Sequence, residues 1–308
     1  MFGNILWRNN ETMISFFKKW AVGLVFLFLL SLTASSLWAG EQIVRLNQEA
    51  NATRTGEAHE RAMLKAVLQD ALEIIPTSLD LERRRVFKEF LQSRHDNFVL
   101  SYARLGQGQT GNVVWQVRVN TKALTDLLKE TGIYYTAEKP LTYRLQPISA
   151  LSAQEANISR MENLFGLRKG QSDGPRLDIG PTREGKGWSG TLYAQDRSWS
   201  AEHQQFQEVW LQVWAGFFTC RECVRPFVQE LRLRISGWSS LSGAQAFDQR
   251  LSQWPQVVDE ATLKSMLMKA EGIEGQWSIR SPRSQALQED IEAFALPRGL
   301  TWSVEPAS

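Results

Sequence analysis

Two cysteines, Cys220 and Cys223, form the sharpest chemical motif of the sequence, a Cys-Arg-Glu-Cys run. A pair at this spacing can form a structural disulfide, catalyse thiol–disulfide exchange, or stay as two idle thiols. Catalysis of exchange needs the first cysteine at a helix N-terminus, where the helix dipole stabilises a thiolate. Here the pair follows a predicted helix and is followed by Pro226, so we expect a structural disulfide.

Metal and cofactor sites are not indicated by the remaining ligand-type residues. Haem attachment needs a histidine after the second cysteine, where the chain has Val224. Zinc needs two further ligands, and His59, His95 and His203 do not stand at zinc-finger spacing. We expect each histidine to be a solvated helix residue. The sequence therefore predicts no metal, no cofactor and no catalytic residue.

A glycine-rich segment matches the dinucleotide-binding fingerprint by letter alone. Gly106, Gly108 and Gly111 have the Gly-x-Gly-x-x-Gly spacing. In dinucleotide-binding folds this segment opens a helix, whereas here it joins two predicted strands. We therefore interpret the glycines as part of a hairpin loop.

Two clusters of side chains have the character of ligand-binding surfaces. Trp210, Trp214, Phe217 and Phe218 recur at helical spacing and could form an aromatic platform, but such a stripe is more typical of a helix packed in a core. The basic run Arg83–Arg85 predicts the solvated face of a helix.

The elements that position these residues begin with a module over residues 41–138. A strand opens it, and an amphipathic helix follows whose alanines lie on one stripe, which lets a helix approach a sheet closely. Asp80 can cap a second helix. A hairpin is predicted from strands 98–102 and 113–119, and Thr121 can cap a last helix. The predicted order is β-α-α-β-β-α.

The rest of the chain contains an internal repeat. Leu141–Leu164 aligns with Leu231–Trp254 without gaps and gives seven identities in 24 pairs. Each copy shows the pattern β-α-β-β-α-β, the ferredoxin-like split unit. We therefore predict an α+β protein whose last two domains, residues 139–219 and 228–308, are tandem ferredoxin-like repeats.

The N-terminal residues 1–39 have the pattern of a secretory signal peptide. Lys18 and Lys19 precede the uncharged segment Ala21–Leu32, and small residues lead to a cleavage point before Gly40. The apolar segment is short for a permanent membrane span. We predict export through a Sec-type signal to the periplasm. An uncleaved N-terminal anchor is the alternative.

The charge of the remaining body argues against two classes of partner. Residues 40–308 carry equal numbers of basic and acidic side chains and contain no second apolar run of membrane-spanning length. Nucleic acids and anionic lipid surfaces are bound through concentrated positive charge. We expect no nucleic acid partner, no membrane span after signal cleavage, and other envelope proteins or further copies of the chain as partners.

The first module resembles the N-terminal domain of the flagellar assembly protein T family and related periplasmic and lipoprotein domains of Gram-negative bacteria. The shared features are the opening strand, the helix running from Glu57 to Ala71, and the hairpin from Asp96–Tyr102 to Val113–Val119. The resemblance implies a non-catalytic part of an envelope structure, which in that family is a ring around the flagellar base. Residues 141–308 do not resemble the rest of the family.

These observations predict a non-enzymatic periplasmic scaffold or assembly protein built from three small α+β domains, with flagellar or secretion machinery as its context. The first alternative is a periplasmic thiol–disulfide protein that uses Cys220 and Cys223. The second is a small-ligand binding module that uses the aromatic stripe.

Overall fold

The computed structural model describes residues 39–46, 55–107, 113–146, 149–171, 174–270 and 272–307. The predicted signal peptide lies outside the described residues except for Ala39. Helices and three separate sheets alternate along the chain, which confirms the predicted α+β class.

The N-terminal unit has the predicted β-α-α-β-β-α order with one further helical turn at its end. Its three strands form an antiparallel sheet in the order β1-β3-β2. Its elements are β1 (Ala39–Leu46), α1 (Thr55–Ile74), α2 (Leu81–Gln92), β2 (Val99–Gln107), β3 (Val113–Asn120), α3 (Thr121–Glu130) and α4 (Ile133–Thr136).

Small residues bring α1 close to this sheet. Ala62, Ala66 and Ala71 are at most 1% exposed, as are Val117 and Val119 on β3. Alanine adds little bulk between helix and sheet, so the alanine stripe predicted from the sequence forms the contact face of α1.

Helix caps explain where two of these helices begin. Asp80 Oδ1 accepts a hydrogen bond from Arg83 N at 2.8 Å, which confirms the predicted cap of α2. The predicted cap of α3 is wrong by one residue. Asn120 Oδ1 accepts from Ala123 N at 3.1 Å, whereas Thr121 donates its hydroxyl hydrogen to Asp70.

The middle unit contains a mixed five-stranded sheet in the order β5-β4-β6-β7-β8. β4 lies parallel to both of its neighbours, and the remaining pairs are antiparallel. Its elements are β4 (Leu141–Leu145), α5 (Glu155–Phe165), β5 (Leu167–Lys169), β6 (Arg176–Pro181), β7 (Trp188–Ala194), β8 (Arg197–His203), α6 (Phe206–Thr219) and α7 (Arg221–Val224).

The C-terminal unit has the predicted ferredoxin-like topology. Its sheet is antiparallel throughout, in the order β10-β11-β9-β12. Both helices follow the split β-α-β-β-α-β pattern. Its elements are β9 (Gln229–Trp238), α8 (Leu241–Leu251), β10 (Glu260–Lys269), β11 (Gly272–Ser281), α9 (Ser284–Ala295) and β12 (Thr301–Pro306).

The prediction of a tandem repeat is wrong for the middle unit, residues 139–219. β4 has parallel neighbours on both sides, whereas β9, its partner in the alignment, has antiparallel neighbours on both sides. The aligned identities lie in the opening strand, the following helix and the segment between them, which both units share. The topologies separate after that point, because the three-residue strand β5 pairs beside β4 and the additional strand β8 extends the sheet.

Two hydrophobic cores organise the described part of the chain. One continuous core extends from Val44 to Val228 and includes both the N-terminal and the middle unit. The second core lies within the C-terminal unit, from Leu231 to Leu300. We therefore describe residues 39–228 as the first body, to which the C-terminal unit is attached.

Candidate functional site

The cysteine pair is a disulfide at the junction of two helices. Cys220 and Cys223 are bonded, with their Cα atoms 5.2 Å apart, a usual separation for a disulfide. Cys220 ends α6 and directly precedes α7, and both cysteines belong to the first core. The bond therefore braces the exit of the tryptophan-rich helix toward β9.

The surroundings of this disulfide do not favour thiol chemistry. A single helical turn, α7, follows Cys220 where the sequence predicted no helix, but it has only four residues. The carboxylate of Glu222 lies 3.6 Å from Cys220 Sγ, and negative charge there disfavours a thiolate. Both cysteines are at most 6% exposed. A buried pair beside a carboxylate suits a structural role.

The aromatic stripe of α6 is core. Trp210 and Trp214 are both fully buried, and Phe217 and Phe218 are at most 4% exposed. The ring of Tyr143 on β4 meets both tryptophans edge-on, at centroid distances of 5.9 and 5.5 Å. These rings have no exposed face for a ligand, so the aromatic platform considered from the sequence does not exist.

The three histidines lie apart and have different surroundings. His59 stacks on Tyr102, with ring centroids 5.5 Å apart. His95 is buried and its Nδ1 lies 3.0 Å from Gln92 O, whereas His203 Nδ1 accepts from Gln205 N. The described residues contain no group of three or more His, Cys, Asp or Glu side chains that could hold a metal ion.

The glycine-rich segment lies between β2 and β3, as expected for a hairpin. Gly106 is the penultimate residue of β2 and has φ +134°, a conformation that glycine adopts readily. Gly108 and Gly111 lie outside the described residues.

The basic run on α2 contains one buried residue, although the sequence predicts a solvated helix face there. Arg83 is 7% exposed and donates to Thr136 O at 2.8 Å, to Thr136 Oγ1 at 2.7 Å and to Leu164 O at 3.4 Å. Burial lowers the pKa of Arg83 to about 10, so the guanidinium keeps its charge at neutral pH. It joins α2 to the C-terminal ends of α4 and α5, where helix carbonyls offer negative partial charge.

A second buried polar cluster joins the first body to the C-terminal unit. Asp259 has a side chain only 5% exposed, and its carboxylate lies 2.7 Å from Lys129 Nζ and 3.6 Å from Arg280 Nη1. The hydroxyl groups of Tyr135 and Tyr134 donate to Asp259 Oδ1 and to the backbone oxygen of Pro255. No sequence motif indicates this cluster, because Lys129, Tyr134 and Tyr135 lie more than a hundred residues before the residues that they contact.

A free sheet edge in the N-terminal unit, strand β2, carries three exposed large apolar side chains, more than any other strand among the described residues. Strand β2 pairs only with β3, and Leu100, Tyr102 and Leu105 on it are 55%, 51% and 55% exposed. Arg104 on β2 and Arg118 on β3 are also exposed, and neither forms an ion pair with a described residue. We call these five residues the edge patch.

Irregular pairing limits how this edge can be extended. The register of β2 against β3 shifts between Val99 and Ser101 and again between Arg104 and Gly106. Bulges of this kind prevent indefinite edge-to-edge association. Between them, Ser101–Arg104 pairs regularly, which leaves a short edge open to one extended segment.

Among the described residues, no helix is both long and apolar enough to cross a membrane. Comparison of the chain with protein-family models, with curated proteins and with solved structures gave no match.

Proposed function

We propose that this protein is a non-enzymatic scaffold of the bacterial periplasm that holds a partner protein at the edge patch of its N-terminal sheet. The observation that carries the proposal is the free edge of β2 with its three half-exposed apolar side chains. An exposed strand edge offers unpaired backbone groups, and apolar side chains beside it contribute hydrophobic contact area.

The composition of the edge patch selects the kind of partner. Arg104 on β2 adds a positive charge without a described ion-pair partner at the edge, and Arg118 lies one strand inward, opposite Ser101 of β2 and Glu41 of β1. The complementary ligand is an extended protein segment with apolar residues and at least one carboxylate. We therefore propose an acidic-apolar strand from another envelope protein as the occupant.

Two features support the proposed location in the periplasm. The first 39 residues have a secretory signal pattern, and disulfides such as Cys220–Cys223 persist in oxidising compartments such as the periplasm. The resemblance of the first module to the flagellar assembly protein T family favours an assembly role in the envelope.

The alternative of a periplasmic thiol–disulfide protein rests on the same cysteine pair. The surroundings of the pair disfavour a reactive thiolate, because both cysteines are buried and a carboxylate lies beside Cys220 Sγ. We therefore rank it second.

Site-specific photo-crosslinking in the native host tests the proposal. A photoreactive amino acid replaces Leu105 in the edge patch and, in a control strain, Leu296, which is 63% exposed in the C-terminal unit. We expect one crosslinked envelope protein from position 105 and not from position 296, with an acidic-apolar segment at the crosslink mapped by mass spectrometry.

Three results would contradict the proposal. They are no crosslink from position 105, the same products from positions 105 and 296, or a product that contains only a second copy of this chain. The last result would identify self-association in place of a different partner.

A further inference from the structure

A cleft in the C-terminal unit, far in sequence from the edge patch, combines aromatic and cationic side chains. It lies between α8, α9 and the end of β9 and has a volume of about 540 Å³. Clefts that bind small molecules have volumes of this order. We call it the arginine–tryptophan cleft, and its characteristic residues are Trp238, Gly243, Phe247, Arg250, Phe294 and Arg298.

The floor of this cleft is aromatic. Trp238 and Phe247 are nearly fully buried, and their ring centroids lie 5.8 Å apart. Phe294 contacts both rings, at 6.1 and 4.8 Å. Gly243 lets α8 pack closely on the indole, since a Cβ atom there would lie only 3.2 Å from Trp238 Cε3. Of the three rings only Phe294 is half-buried, so the apolar surface that the floor offers is mainly that of Phe294.

The rim of the cleft is positively charged. Arg250 and Arg298 are exposed, and neither forms an ion pair with a described residue. The guanidinium of Arg298 lies 4.0 Å from the centroid of the Phe294 ring and donates to Phe294 O. No acidic residue occurs among the described residues that line the cleft.

An unsatisfied donor adds a third feature. Trp238 Nε1–H is buried and has no hydrogen-bond partner in the described part of the chain. Leaving a buried donor unpaired costs free energy that an acceptor can recover. The indoles of Trp115, Trp210 and Trp214 are unpaired as well, but among these four tryptophans Trp238 alone belongs to one of the described clefts.

From these three features we infer that the arginine–tryptophan cleft binds a carboxylate carried on a flat apolar group. Arg250 and Arg298 bind the carboxylate through charge-assisted hydrogen bonds, and the apolar group packs against Phe294 above the buried rings of Trp238 and Phe247. Trp238 Nε1–H is the third donor. This inference does not depend on the proposed scaffold role.

Nuclear magnetic resonance on the full chain tests the inference through the indole N–H signals. The variant Trp238→Phe identifies the signal of Trp238. Phenylacetate and its uncharged counterpart 2-phenylethanol are then titrated in parallel. We expect phenylacetate to move the Trp238 signal to a saturating position and 2-phenylethanol to leave it in place.

Variants that remove the positive charges at the rim distinguish a specific binding site from nonspecific binding. The variants Arg250→Gln and Arg298→Gln alter exposed side chains, and together they should weaken phenylacetate binding by about tenfold or more. Arg183→Gln, an exposed arginine of the middle unit, is the control and should leave binding unchanged. A Trp238 signal that does not move at millimolar phenylacetate, equal binding of the alcohol, or undiminished binding by the double variant would overturn the inference.

Titration with peptides distinguishes two sources of the carboxylate, a peptide C-terminus and a free aromatic acid. The tripeptide Ala-Ala-Phe is compared with its C-terminal amide and with phenylacetate. Tighter binding of the free-acid peptide than of phenylacetate identifies a peptide C-terminus as the ligand, and weaker binding identifies a free aromatic acid. Binding of the amide as tight as that of the acid would overturn the inference.

Discussion

Lys129 Nζ lies 2.7 Å from the carboxylate of Asp259 and donates to the backbone oxygen of the same residue at 2.8 Å. Through this pair, helix α3 of the first body holds the segment that leads into β10 of the C-terminal unit. Arg280 lies on the other side of the carboxylate, at 3.6 Å. Asp259 therefore balances two cations at a junction between two separate cores.

Removing the charge of Asp259 should destabilise this junction more than removing either partner alone. Asp259→Asn leaves Lys129 and the buried Arg280 without their shared carboxylate, and we expect a loss of about 2 kcal/mol in the free energy of unfolding. Lys129→Met keeps Arg280 paired with Asp259 and should cost about 1 kcal/mol. Denaturant unfolding measures both.

The exposed pair Lys122–Asp126 supplies the control for that comparison. Lys122→Met should leave stability nearly unchanged, because exposed ion pairs contribute little. Equal effects of Asp259→Asn and Lys122→Met would mean that the junction does not depend on the buried charges.

Asp70 should make stability depend on pH. It is 5% exposed, and burial raises its pKa above 3.8 although hydrogen bonds from Thr121 and Gln42 act in the opposite direction. A carboxyl group with a raised pKa in the folded state contributes stability while it is protonated and loses this contribution as pH rises through the folded pKa.

Asp70→Asn removes the cost of the buried charge and should raise the stability near neutral pH. The gain should shrink as pH falls toward 3.8 and below, where wild-type Asp70 is also neutral. Thermal unfolding across this pH range measures the difference between the two proteins. A gain that stays constant with pH would show that the effect does not arise from the charge.

Arg83 should be far more important to stability than its neighbour in the same basic run. Arg83→Met leaves Thr136 O, Thr136 Oγ1 and Leu164 O without their common donor, and we expect a loss of about 3 kcal/mol. Arg83→Lys should recover only part of this, because an ammonium group cannot reach three oxygens in the geometry of the guanidinium. Arg84→Met, at an exposed position, should be nearly neutral. Similar losses at positions 83 and 84 would contradict the buried role of Arg83.

The disulfide should be a modest brace. It closes a loop with a sequence separation of three, and short loops gain little from chain entropy, so reduction should lower Tm by only a few degrees. Calorimetry with and without reductant measures this. Turnover of the protein in a disulfide-reductase assay would favour the thiol–disulfide alternative instead.

The C-terminal unit could be predicted because its signals are local. Alternating strands, helices of ordinary length and a hairpin follow each other in the order that the ferredoxin-like topology requires. The topology of the middle unit could not be predicted, because its first strand and helix resemble β9 and α8. The pairing of that first strand depends on β5, a strand of only three residues. Three residues give no usable alternation, so the choice of neighbour for β4 is set by tertiary packing.

Among the buried polar groups, the burial of some could be predicted from the sequence and that of others could not. Arg83 lies three and seven residues before Val86 and Phe90, on the apolar face of α2, so the helical period did contain a signal for its burial. Lys129 and Asp259 lie in different units and have no local pattern in common. Contacts of that kind form when two units with separate cores pack together, and the hydrophobic periodicity of the sequence carries no information about that packing.

We propose that the edge patch, and not the disulfide, carries the function of this protein. The most direct measurement is the yield of crosslinked partner from a photoreactive amino acid at position 100, compared in three backgrounds: the otherwise unchanged chain, Leu105→Glu, and Cys220→Ser with Cys223→Ser. We predict that Leu105→Glu abolishes the crosslink, because it places negative charge where an acidic-apolar strand docks, and that the double serine variant retains it. Loss of the crosslink in the double serine variant with retention in Leu105→Glu would contradict this proposal.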